Sequence, residues 1–550
     1  MTPITPLTPD IQNRRFAFTR PPELDGAGPR RRPVVIAGGG PVGLTLALDL
    51  ARRGHEVVVL NRRDRLAHGS RAICFSKRSL DIFHRLGVAA PMVDKGVIWN
   101  VGKVFHGADP DPVYEFDMLP VKHQRNPGFI NLQQYYVESV LIDALAGFDN
   151  AEIRWASTVT QVTAEPDGVV ITVDTQGGPY ALHADYLLAC DGANSPIRAA
   201  MGLDFEGRAF DDSFLIADVT FKETRPSERW FWFDPPFPGG SALLHKQPDN
   251  VWRLDFQLGP GADLDAAVKP ENVDPFVRGM LGPDVSFQYE WISAYRFQCR
   301  RMARFVHGRV IFLGDSAHLV SPFGARGCNG GLADADNLGW KLDRVLRGLA
   351  APALLESYDA EAVETADENI LNSTRATDFI TPKSHGARLL RDAVLALARP
   401  EPALRPFVNS GRLSAPVSYA ASPLSTPDGE PWSGGPAPGA PGPDAPVDWC
   451  DGDGFLLDRL GGRFALLAFH MKIGEADRRQ LARQDVAVLA EGAEFTDTAG
   501  LAADRYGAAG RPALYLMRPD QYAAARWRTL DRAGIEAALA RAGAKDPAHV

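Results

Sequence analysis

The 550-residue sequence is poor in cysteine, and it has neither a long apolar run nor an excess of basic residues. Its five cysteines are scattered and none forms a C-x-x-C pair, which predicts reduced thiols, no metal site and no redox pair. No apolar run approaches the roughly 20 residues that cross a bilayer, so no membrane partner is expected. Arg14 and Arg15 have no apolar segment after them, which argues against a signal peptide and favours a cytoplasmic protein.

The charge balance and the length narrow the possibilities further. Lys and Arg number 59 against 68 Asp and Glu, and the formal net charge is -9. Nucleic acids bind to basic surfaces, so a nucleic-acid partner is not expected. A chain of 550 residues is too long for one hydrophobic core, and two or three domains are predicted.

A glycine-rich loop follows the first apolar run. Residues 38–43 read GGGPVG, after the strand-like residues 34–37 and before an apolar helix. The pattern G-x-G-x-x-G lets backbone N–H groups approach a nucleotide pyrophosphate at a helix N-terminus. The candidate cofactor-binding residues in this loop are Gly38, Gly40, Pro41, Val42 and Gly43.

The residue expected to bind the ribose hydroxyls is unusual here. An acidic side chain normally stands about 20 residues after such a loop, but this chain has Asn61, followed by Arg62 and Arg63. One interpretation is that Asn61 accepts a hydrogen bond from a ribose hydroxyl. The alternative is that Asn61 and the two arginines hold a 2′-phosphate, which would make this an NADP fold.

Two further motifs favour a flavin. Residues 190–195 (CDGANS) and 314–318 (GDSAH) each follow an apolar run, so Asp191 with Gly192 and Gly314 with Asp315 are predicted at the carboxyl ends of buried strands. The ribityl chain of a flavin needs a carboxylate. Residues 322–331 (PFGARGCNGG) add small residues and the start of a helix, predicted from about Asn329 to Leu346, whose positive end suits reduced flavin.

The remaining chain divides by composition. Residues 1–30 form an arm, and residues 213–258 predict an inserted antiparallel sheet with one aromatic face and a turn at Pro248–Asn250. Residues 431–446 are a linker rich in Pro and Gly, followed by about 100 residues of alternating strands and helices. The predicted fold class is therefore α/β.

These motifs resemble those of the class A FAD-dependent aromatic hydroxylases, of the phenol hydroxylase and 3-(3-hydroxyphenyl)propionate hydroxylase kind. The resemblance runs from about Arg32 to Trp527. It implies that FAD also contacts Arg71 and Gln134, with the loop and helix start at Pro322, Gly327, Cys328 and Asn329. The departures are Asn61, where the family has Glu, and Arg326 within the loop.

The resemblance also implies a domain plan. The FAD-binding Rossmann-like domain takes residues 31–205 and 306–430, and the substrate-binding sheet takes 206–305 with a contribution from 90–130. Residues 447–550 resemble a thioredoxin-like domain, but without C-x-x-C they cannot carry dithiol chemistry. A packing role or a homodimer contact is expected of them instead.

The implied activity is a monooxygenase reaction. NADPH or NADH docks briefly and reduces FAD, O2 gives a C4a-hydroperoxide, and a phenolic substrate is hydroxylated. The FAD is expected to be non-covalent, since no His or Cys is placed to attach the ring. The alternative is a flavin oxidase or dehydrogenase that inserts no oxygen.

The substrate-facing residues are expected on the hairpin of the inserted sheet. By alignment to the family, Arg253 falls near the flavin, and His245, Gln247 and Asp255 fall near the substrate. Pro322 is a further candidate catalytic residue. His245 is either a phenol base with an ordinary pKa of about 6.5 or a hydrogen-bonded histidine of the sheet. Family members that bind a benzoate carboxylate have Arg where Gln247 stands, which disfavours a simple para-carboxylate substrate.

Overall fold

A computed structural model describes residues 5–26, 30–69, 71–408 and 415–543. The strands of residues 30–189 are β1 (Arg31–Ala37), β2 (Val57–Asn61), β3 (Cys74–Ser76), β4 (Val97–Ile98), β5 (Val101–His106), β6 (Tyr114–Asp117), β7 (Phe129–Asn131), β8 (Ala151–Trp155), β9 (Ser157–Ala164), β10 (Val169–Thr175) and β11 (Tyr180–Ala189). Those of residues 190–320 are β12 (Glu206–Phe221), β13 (Arg229–Phe233), β14 (Ser241–Lys246), β15 (Val251–Leu258), β16 (Phe287–Arg301), β17 (Val306–His307), β18 (Val310–Phe312) and β19 (His318–Leu319). Those of residues 440–530 are β20 (Pro446–Trp449), β21 (Gly452–Phe455), β22 (Phe464–Phe469), β23 (Val486–Ala490), β24 (Phe495–Thr496), β25 (Ala513–Met517) and β26 (Ala523–Trp527).

Helices alternate with these strands, which confirms the predicted α/β class. They are α1 (Pro41–Arg52), α2 (Lys77–Arg85), α3 (Ala89–Lys95), α4 (Gln134–Leu145), α5 (Pro196–Ala200), α6 (Leu264–Ala267), α7 (Pro270–Leu281), α8 (Gly327–Leu346), α9 (Leu354–Ile380), α10 (His385–Ala398), α11 (Arg405–Val408), α12 (Glu475–Arg483), α13 (Leu501–Arg505) and α14 (Arg532–Arg541). Across the described ranges, no helix combines the length and the apolar content that a membrane crossing requires.

The first sheet has the order β17-β18-β11-β1-β2-β8. Strands β18, β11, β1, β2 and β8 run parallel, with β9 and β10 attached antiparallel beside β11. The chain moves from β1 to β2 on one side and returns later to β11 on the other. In such a sheet a crevice opens at the carboxyl ends of the strands, where the order reverses. The loops after β1, β11 and β18 all reach this edge.

The second sheet has the order β19-β16-β12-β15-β14-β13-β5-β6. It contains the strands predicted from residues 213–258, and the turn predicted at Pro248–Asn250 joins β14 to β15 with Asp249 and Asn250 both at positive φ. The strands of residues 213–258 pair antiparallel, as predicted, whereas β5, from the segment 90–130, pairs parallel with β13. Parallel neighbours need a long connection, and β5 and β13 are far enough apart in the chain to allow one.

Helix α8 begins two residues earlier than the predicted start at Asn329 and ends at Leu346 as predicted. Gly327 and Cys328 form its first turn, so its N-terminus lies closer to the cavity at the strand edge than the sequence indicates. The predicted linker of residues 431–446 is packed rather than loose. Its Gly439 and Gly442 donate hydrogen bonds to backbone carbonyls of Ala523 and Gln521.

The C-terminal residues form a sheet of order β23-β22-β25-β26, with β20, β21 and β24 in a small separate sheet. A buried ion network joins this part to the helices of the first domain. Arg518 donates to both carboxylate oxygens of Glu361, at 2.6 and 2.9 Å, and to Asp520. Lys341 of α8 donates to the same Glu361 carboxylate at 2.7 Å, and Trp340 donates to Asp520 at 3.0 Å. Burial alone would raise the pKa of Glu361, but the two cations outweigh it and lower that pKa.

Removing one member of this network should loosen the C-terminal part. Arg518→Met leaves Glu361 and Asp520 short of their shared cation, and breaking a buried pair in this way costs roughly 3–5 kcal/mol. We expect a lower unfolding temperature and earlier proteolytic release of the C-terminal part. Arg532→Met, which breaks an exposed pair with Asp477, is the control and should change neither measurement. Equal behaviour of the two variants would contradict a stabilising role for the network.

Candidate functional site

A cavity of about 830 Å³ opens at the carboxyl ends of the first sheet and continues to one face of the second sheet. The loop after β1, the loop after β11, the start of α8 and strands β12 to β16 all contribute to its walls. Residues from the three sequence motifs and from the hairpin therefore share one space, although they are separated by up to hundreds of positions in the chain.

In the glycine loop, two positions have no room for a side chain, and a third borders open space. A Cβ on Gly38, which has φ of 116°, would lie 2.1 Å from the carbonyl oxygen of Cys190, and a Cβ on Gly43 would lie 2.1 Å from that of Gly38. A Cβ on Gly40 would meet nothing within 4 Å. Gly40 stands at the N-cap of α1, so the open space faces a helix N-terminus that suits a pyrophosphate.

Asp191 follows β11 and keeps one carboxylate oxygen without a partner. Its Oδ2 accepts hydrogen bonds from the Ser195 hydroxyl at 2.7 Å and from the Ile197 N–H at 3.2 Å. Its Oδ1 is buried and has no hydrogen-bond partner among the described residues. Burial raises the pKa of Asp191. Beside it, Gly192 at φ of 89° borders open space, which leaves room for a ligand that donates hydrogen bonds.

Asp315 follows β18 and opens into the cavity. The neighbouring Gly314 N–H and the His318 Nε2 both contact Oδ2 of Asp334 in α8, at 2.9 and 2.6 Å, which fixes the loop that carries Asp315. Burial raises the pKa of Asp315, while His318 and Arg71 act in the opposite direction. A carboxylate that opens into the cavity is a suitable acceptor for the hydroxyls of a ribityl chain.

The far end of the cavity is lined by Asn61, Arg62 and Arg63. Asn61 ends β2, and its Oδ1 accepts a hydrogen bond from the Arg63 N–H at 3.2 Å. Its buried amide lies against the glycine loop, since a Cβ on Gly39 would be 2.5 Å from Nδ2. A neutral side chain at this point can still accept from a ribose.

Gln134 and Glu138 of α4 support the loop that carries Arg71. The Gln134 Oε1 accepts from the Ala72 N–H at 3.2 Å, and its Nε2 donates to Glu138 at 2.7 Å. Glu138 in turn accepts from the Ala67 N–H at 2.7 Å. All three polar residues, Arg71 included, border the cavity. Glu138 belongs to the same helix motif as Gln134 in the resemblance, but it was not predicted to border the site.

The start of α8 and the loop before it form another wall. Pro322, Gly327 and Cys328 border the cavity. Asn329 does not, because its amide is used elsewhere: it accepts from the Ser76 N–H and Ser79 hydroxyl and donates to two backbone carbonyls. The side chain of Asn329 therefore fastens α8 to β3 and α2, and only the helix N-terminus itself is turned toward the cavity.

These observations fit FAD. The space at Gly40 and Gly192, the unpartnered oxygen of Asp191 and the open carboxylate of Asp315 follow one another along the strand edge. An extended dinucleotide could occupy this space, and the hydroxyls along its chain could donate hydrogen bonds to the carboxylate oxygens.

The second sheet presents a polar face to the cavity because side chains alternate along a strand. Leu215, Ala217 and Val219 of β12, with Leu254 and Phe256 of β15, pack in an apolar core under α7. The residues between them face the other way and border the cavity: Phe214, Ile216, Leu243, His245, Arg253 and Asp255.

Strand register places the charged side chains of this face in a row. His245 of β14 is paired with Arg253 of β15, which is paired with Asp218 of β12. On the other side, β13 pairs Trp230 with Leu244, so Arg229 lies next to His245. Arg253 donates to Asp218 at 2.9 and 3.3 Å. Arg229 was missed from sequence because its strand was interpreted by its aromatic residues alone.

His245 is neutral in this setting. Burial and the nearby charges of Arg229 and Arg253 lower its pKa well below the ordinary value, so the expected titration near neutrality is wrong. Its Nε2 lies 3.5 Å from Oδ2 of Asp255, and its Nδ1 is buried without a hydrogen-bond partner among the described residues. His245 can therefore donate or accept a hydrogen bond but is a poor proton acceptor.

Asp255 is better placed to take up a proton. Burial raises its pKa to about 6, and the neighbouring Asp218 adds to that effect, while Arg253 and Arg229 act against it. A carboxylate that titrates this close to neutral pH is suited to general-base work.

Gln247 lies away from the cavity. Strand β14 ends at Lys246, and Gln247 is fully buried at the turn, where its N–H donates to Val251. Alternation along the strand suggested that it shares a face with His245, but the chain has already left the strand at that position.

The aromatic wall of the cavity also differs from the expected one. Trp230 and Trp232 pack against the apolar core of the sheet. The aromatic side chains that border the cavity are Phe214, Trp291, Tyr295, Phe297 and Phe323. Three of these come from β16, which lies outside the segment from which the sheet was predicted.

Comparison with known proteins agrees with this geometry. Residues 31–373 match the family described as FAD binding domain. The 3-(3-hydroxy-phenyl)propionate/3-hydroxycinnamic acid hydroxylase of Paraburkholderia xenovorans (strain LB400) is 30% identical over 68% of this chain, and the match spans 60% of that relative's length. The 3-(3-hydroxy-phenyl)propionate/3-hydroxycinnamic acid hydroxylase 2 of Burkholderia vietnamiensis (strain G4 / LMG 22486) is 29% identical over 92% of this chain, and the match spans 96% of that relative's length.

A solved structure extends the likeness to the whole fold. The flavin-dependent monooxygenase PieE, in complex with FAD and substrate, superimposes with a TM-score of 0.80 over 94% of this chain and 100% of that one, at 24% identity. The family match covers more than half of the chain, and the resemblance predicted from the three motifs is confirmed. The chain belongs to the FAD binding domain family and, within it, to the class A flavoprotein aromatic hydroxylases.

Proposed function

We propose that this protein is a FAD-dependent monooxygenase that uses NADPH or NADH and O2 to hydroxylate a phenolic aromatic substrate. The observation that carries the proposal is the single cavity that joins the FAD motifs to the polar face of the second sheet. Residues suited to a flavin and residues suited to a phenol thereby share one space. The relatives named for hydroxylation of hydroxyphenyl acids support the same reaction class.

Within this reaction, FAD supplies the redox chemistry by taking electrons from the nicotinamide and activating O2. The protein's own residues bind and orient. Asp191 and Asp315 would accept hydrogen bonds from the cofactor chain, and the N-terminus of α8 would offer about half a positive charge to the ring. Asp255 takes the proton of the phenol hydroxyl, and neutral His245 orients that hydroxyl. The aromatic wall excludes water.

The domain roles follow the same proposal. Residues 31–205 and 306–430 bind FAD, and residues 206–305 with 90–130 bind the substrate. The C-terminal sheet is a thioredoxin-like domain without dithiol chemistry, since Cys450 is its single cysteine and no C-x-x-C is present. It acts by packing, through Arg518 and Glu361. A homodimer stays a prediction.

The reaction class is tested by product analysis. The holoenzyme is given NADPH or NADH, a panel of phenols and ¹⁸O2, and both the hydroxylated product and hydrogen peroxide are measured. Incorporation of one ¹⁸O into the product supports the monooxygenase. Substrate oxidation without incorporated oxygen would instead favour an oxidase or a dehydrogenase.

Asp315→Asn should weaken FAD binding. The ribityl hydroxyls lose a charged acceptor worth roughly 1.5–3 kcal/mol, or about 10- to 100-fold in Kd. Apoprotein is prepared by acid treatment, which releases the flavin only if it is non-covalent, and is titrated with FAD by fluorescence. Asp367→Asn, at an exposed pair with Arg301, is the control and should bind FAD normally. Flavin that stays with the acid-precipitated protein would refute non-covalent binding.

Asp255→Asn should lower hydroxylation without releasing FAD. A general base is typically worth ~10²–10⁴-fold in rate. A base acts only when deprotonated, so wild-type hydroxylation should rise with pH through about 6, and this rise should be absent from the variant.

His245→Gln is the comparison for Asp255→Asn. It keeps a neutral hydrogen-bonding group, so it should retain the rise near pH 6 while diverting more of the reducing equivalents to hydrogen peroxide. An unchanged pH profile in Asp255→Asn would contradict the assigned proton acceptor, and full coupling in His245→Gln would remove His245 from substrate contact.

A further inference from the structure

Arg229 is a buried cation whose side chain has no hydrogen-bond or ion-pair partner among the described residues. Its residue is 9% exposed, and its Nη1 is fully buried with no hydrogen-bond partner among the described residues. Within the described residues Arg229 forms no ion pair, whereas the neighbouring Arg253 pairs with Asp218. An unpaired charge in a protein interior is strongly destabilising, so a group that completes Arg229 is expected.

The position of Arg229 shows where such a group must come from. Arg229 opens β13 and borders the cavity beside His245. Below it lies the ring of Trp99, whose centroid is 5.5 Å from the guanidinium carbon. The protein thus fills one side of the guanidinium with an aromatic ring and leaves another side to the cavity.

The charged neighbours make no direct contact with the Arg229 guanidinium. Asp218 is bonded to Arg253, and His245 is neutral because its pKa is lowered. Burial lowers the pKa of Arg229 and the charge of Asp255, the remaining carboxylate of this face, acts in the opposite direction. Asp255 makes no hydrogen bond or ion pair with that guanidinium. The thiol of Cys74 is also uncharged, since burial raises its pKa. Arg229 therefore has no direct anionic contact among the described residues, and its buried Nη1 is left to the cavity.

We propose that Arg229 binds an anionic oxygen of the substrate, either a carboxylate or an ionised phenol. The inference rests on the proposed function and adds a specificity residue to it. A guanidinium binds a carboxylate through two N–H groups and a phenolate oxygen through one or two, and either would supply the missing partner. Arg229 lies on β13, whereas Gln247 lies on the β14–β15 hairpin. The anion would therefore bind at a different point of the sheet from a para-carboxylate held by the hairpin.

Binding to the oxidised holoenzyme, without NADPH or NADH, tests the proposal. The first pair of probes is 3-hydroxybenzoate and 3-hydroxybenzamide, which share a shape and differ in charge, with Kd measured by calorimetry or by the change in flavin absorbance. The third probe is 4-nitrophenol, whose colour reports its ionisation when bound. We expect the wild type to bind the benzoate at least 10-fold tighter than the benzamide, or to bind 4-nitrophenol as the anion.

Variants locate the effect at Arg229. Arg229→Met should lose roughly 10- to 100-fold in affinity for whichever anionic probe the wild type prefers, with little change for the benzamide, and Arg229→Lys should recover part of the loss. Arg225→Met, in the loop before β13 where Arg225 bonds the Leu281 carbonyl, is the control and should leave all three affinities unchanged. Loss for the benzoate alone assigns a carboxylate, and loss of the nitrophenolate colour alone assigns an ionised phenol.

Two results would overturn the proposal. One is a wild type that binds the benzamide as tightly as the benzoate and 4-nitrophenol only in its neutral form, a measurement that needs no variant. The other is an equal loss for charged and neutral probes in Arg229→Met. Failure of the proposed function gives a different result, because ¹⁸O would then be absent from the product while the preference for anions could persist.

Discussion

The site depends on the close contact between the loop after β1 and the loop after β11. The Cys190 N–H donates to the Ala37 carbonyl, and Gly38 passes so near the Cys190 carbonyl that no side chain fits at this position. Because this contact fixes two parallel strands at their carboxyl ends, the glycine loop and Asp191 face the same crevice. The third strand, β18, joins beside β11 and adds Asp315 to the row.

Helix α8 carries this arrangement to the rest of the molecule. Near its start, Asp334 accepts from the Gly314 N–H and contacts His318, which fixes the loop of Asp315. Further along, Lys341 enters the buried network of Glu361 and Arg518. A single helix thus contacts both the loop of Asp315 and the buried ion network of the C-terminal part.

Burying polar side chains on this face of the second sheet costs free energy, which indicates that the face binds a ligand. Four charged side chains and a neutral histidine lie on a face that burial would otherwise make apolar. Arg253 and Asp218 satisfy each other, but Arg229 and Asp255 remain available to a bound molecule. Burial and the same two arginines lower the pKa of His245, so the proposed reaction assigns proton transfer to Asp255 and charge recognition to Arg229 on the same face of the sheet.

Much of this was determined by the sequence alone. The three motifs predicted the α/β class and the FAD edge, because glycine loops and aspartates after apolar strands depend on local chain geometry. The strands and the turn of the hairpin also followed from local pattern. Only the tertiary structure determined four features that a local pattern does not encode. These are the lowered pKa of His245, the position of Gln247 in the turn, the contacts of Asn329 with β3 and α2, and the position of Arg229 at the cavity. Each depends on neighbours from distant parts of the chain, and only the folded sheet brings those neighbours together.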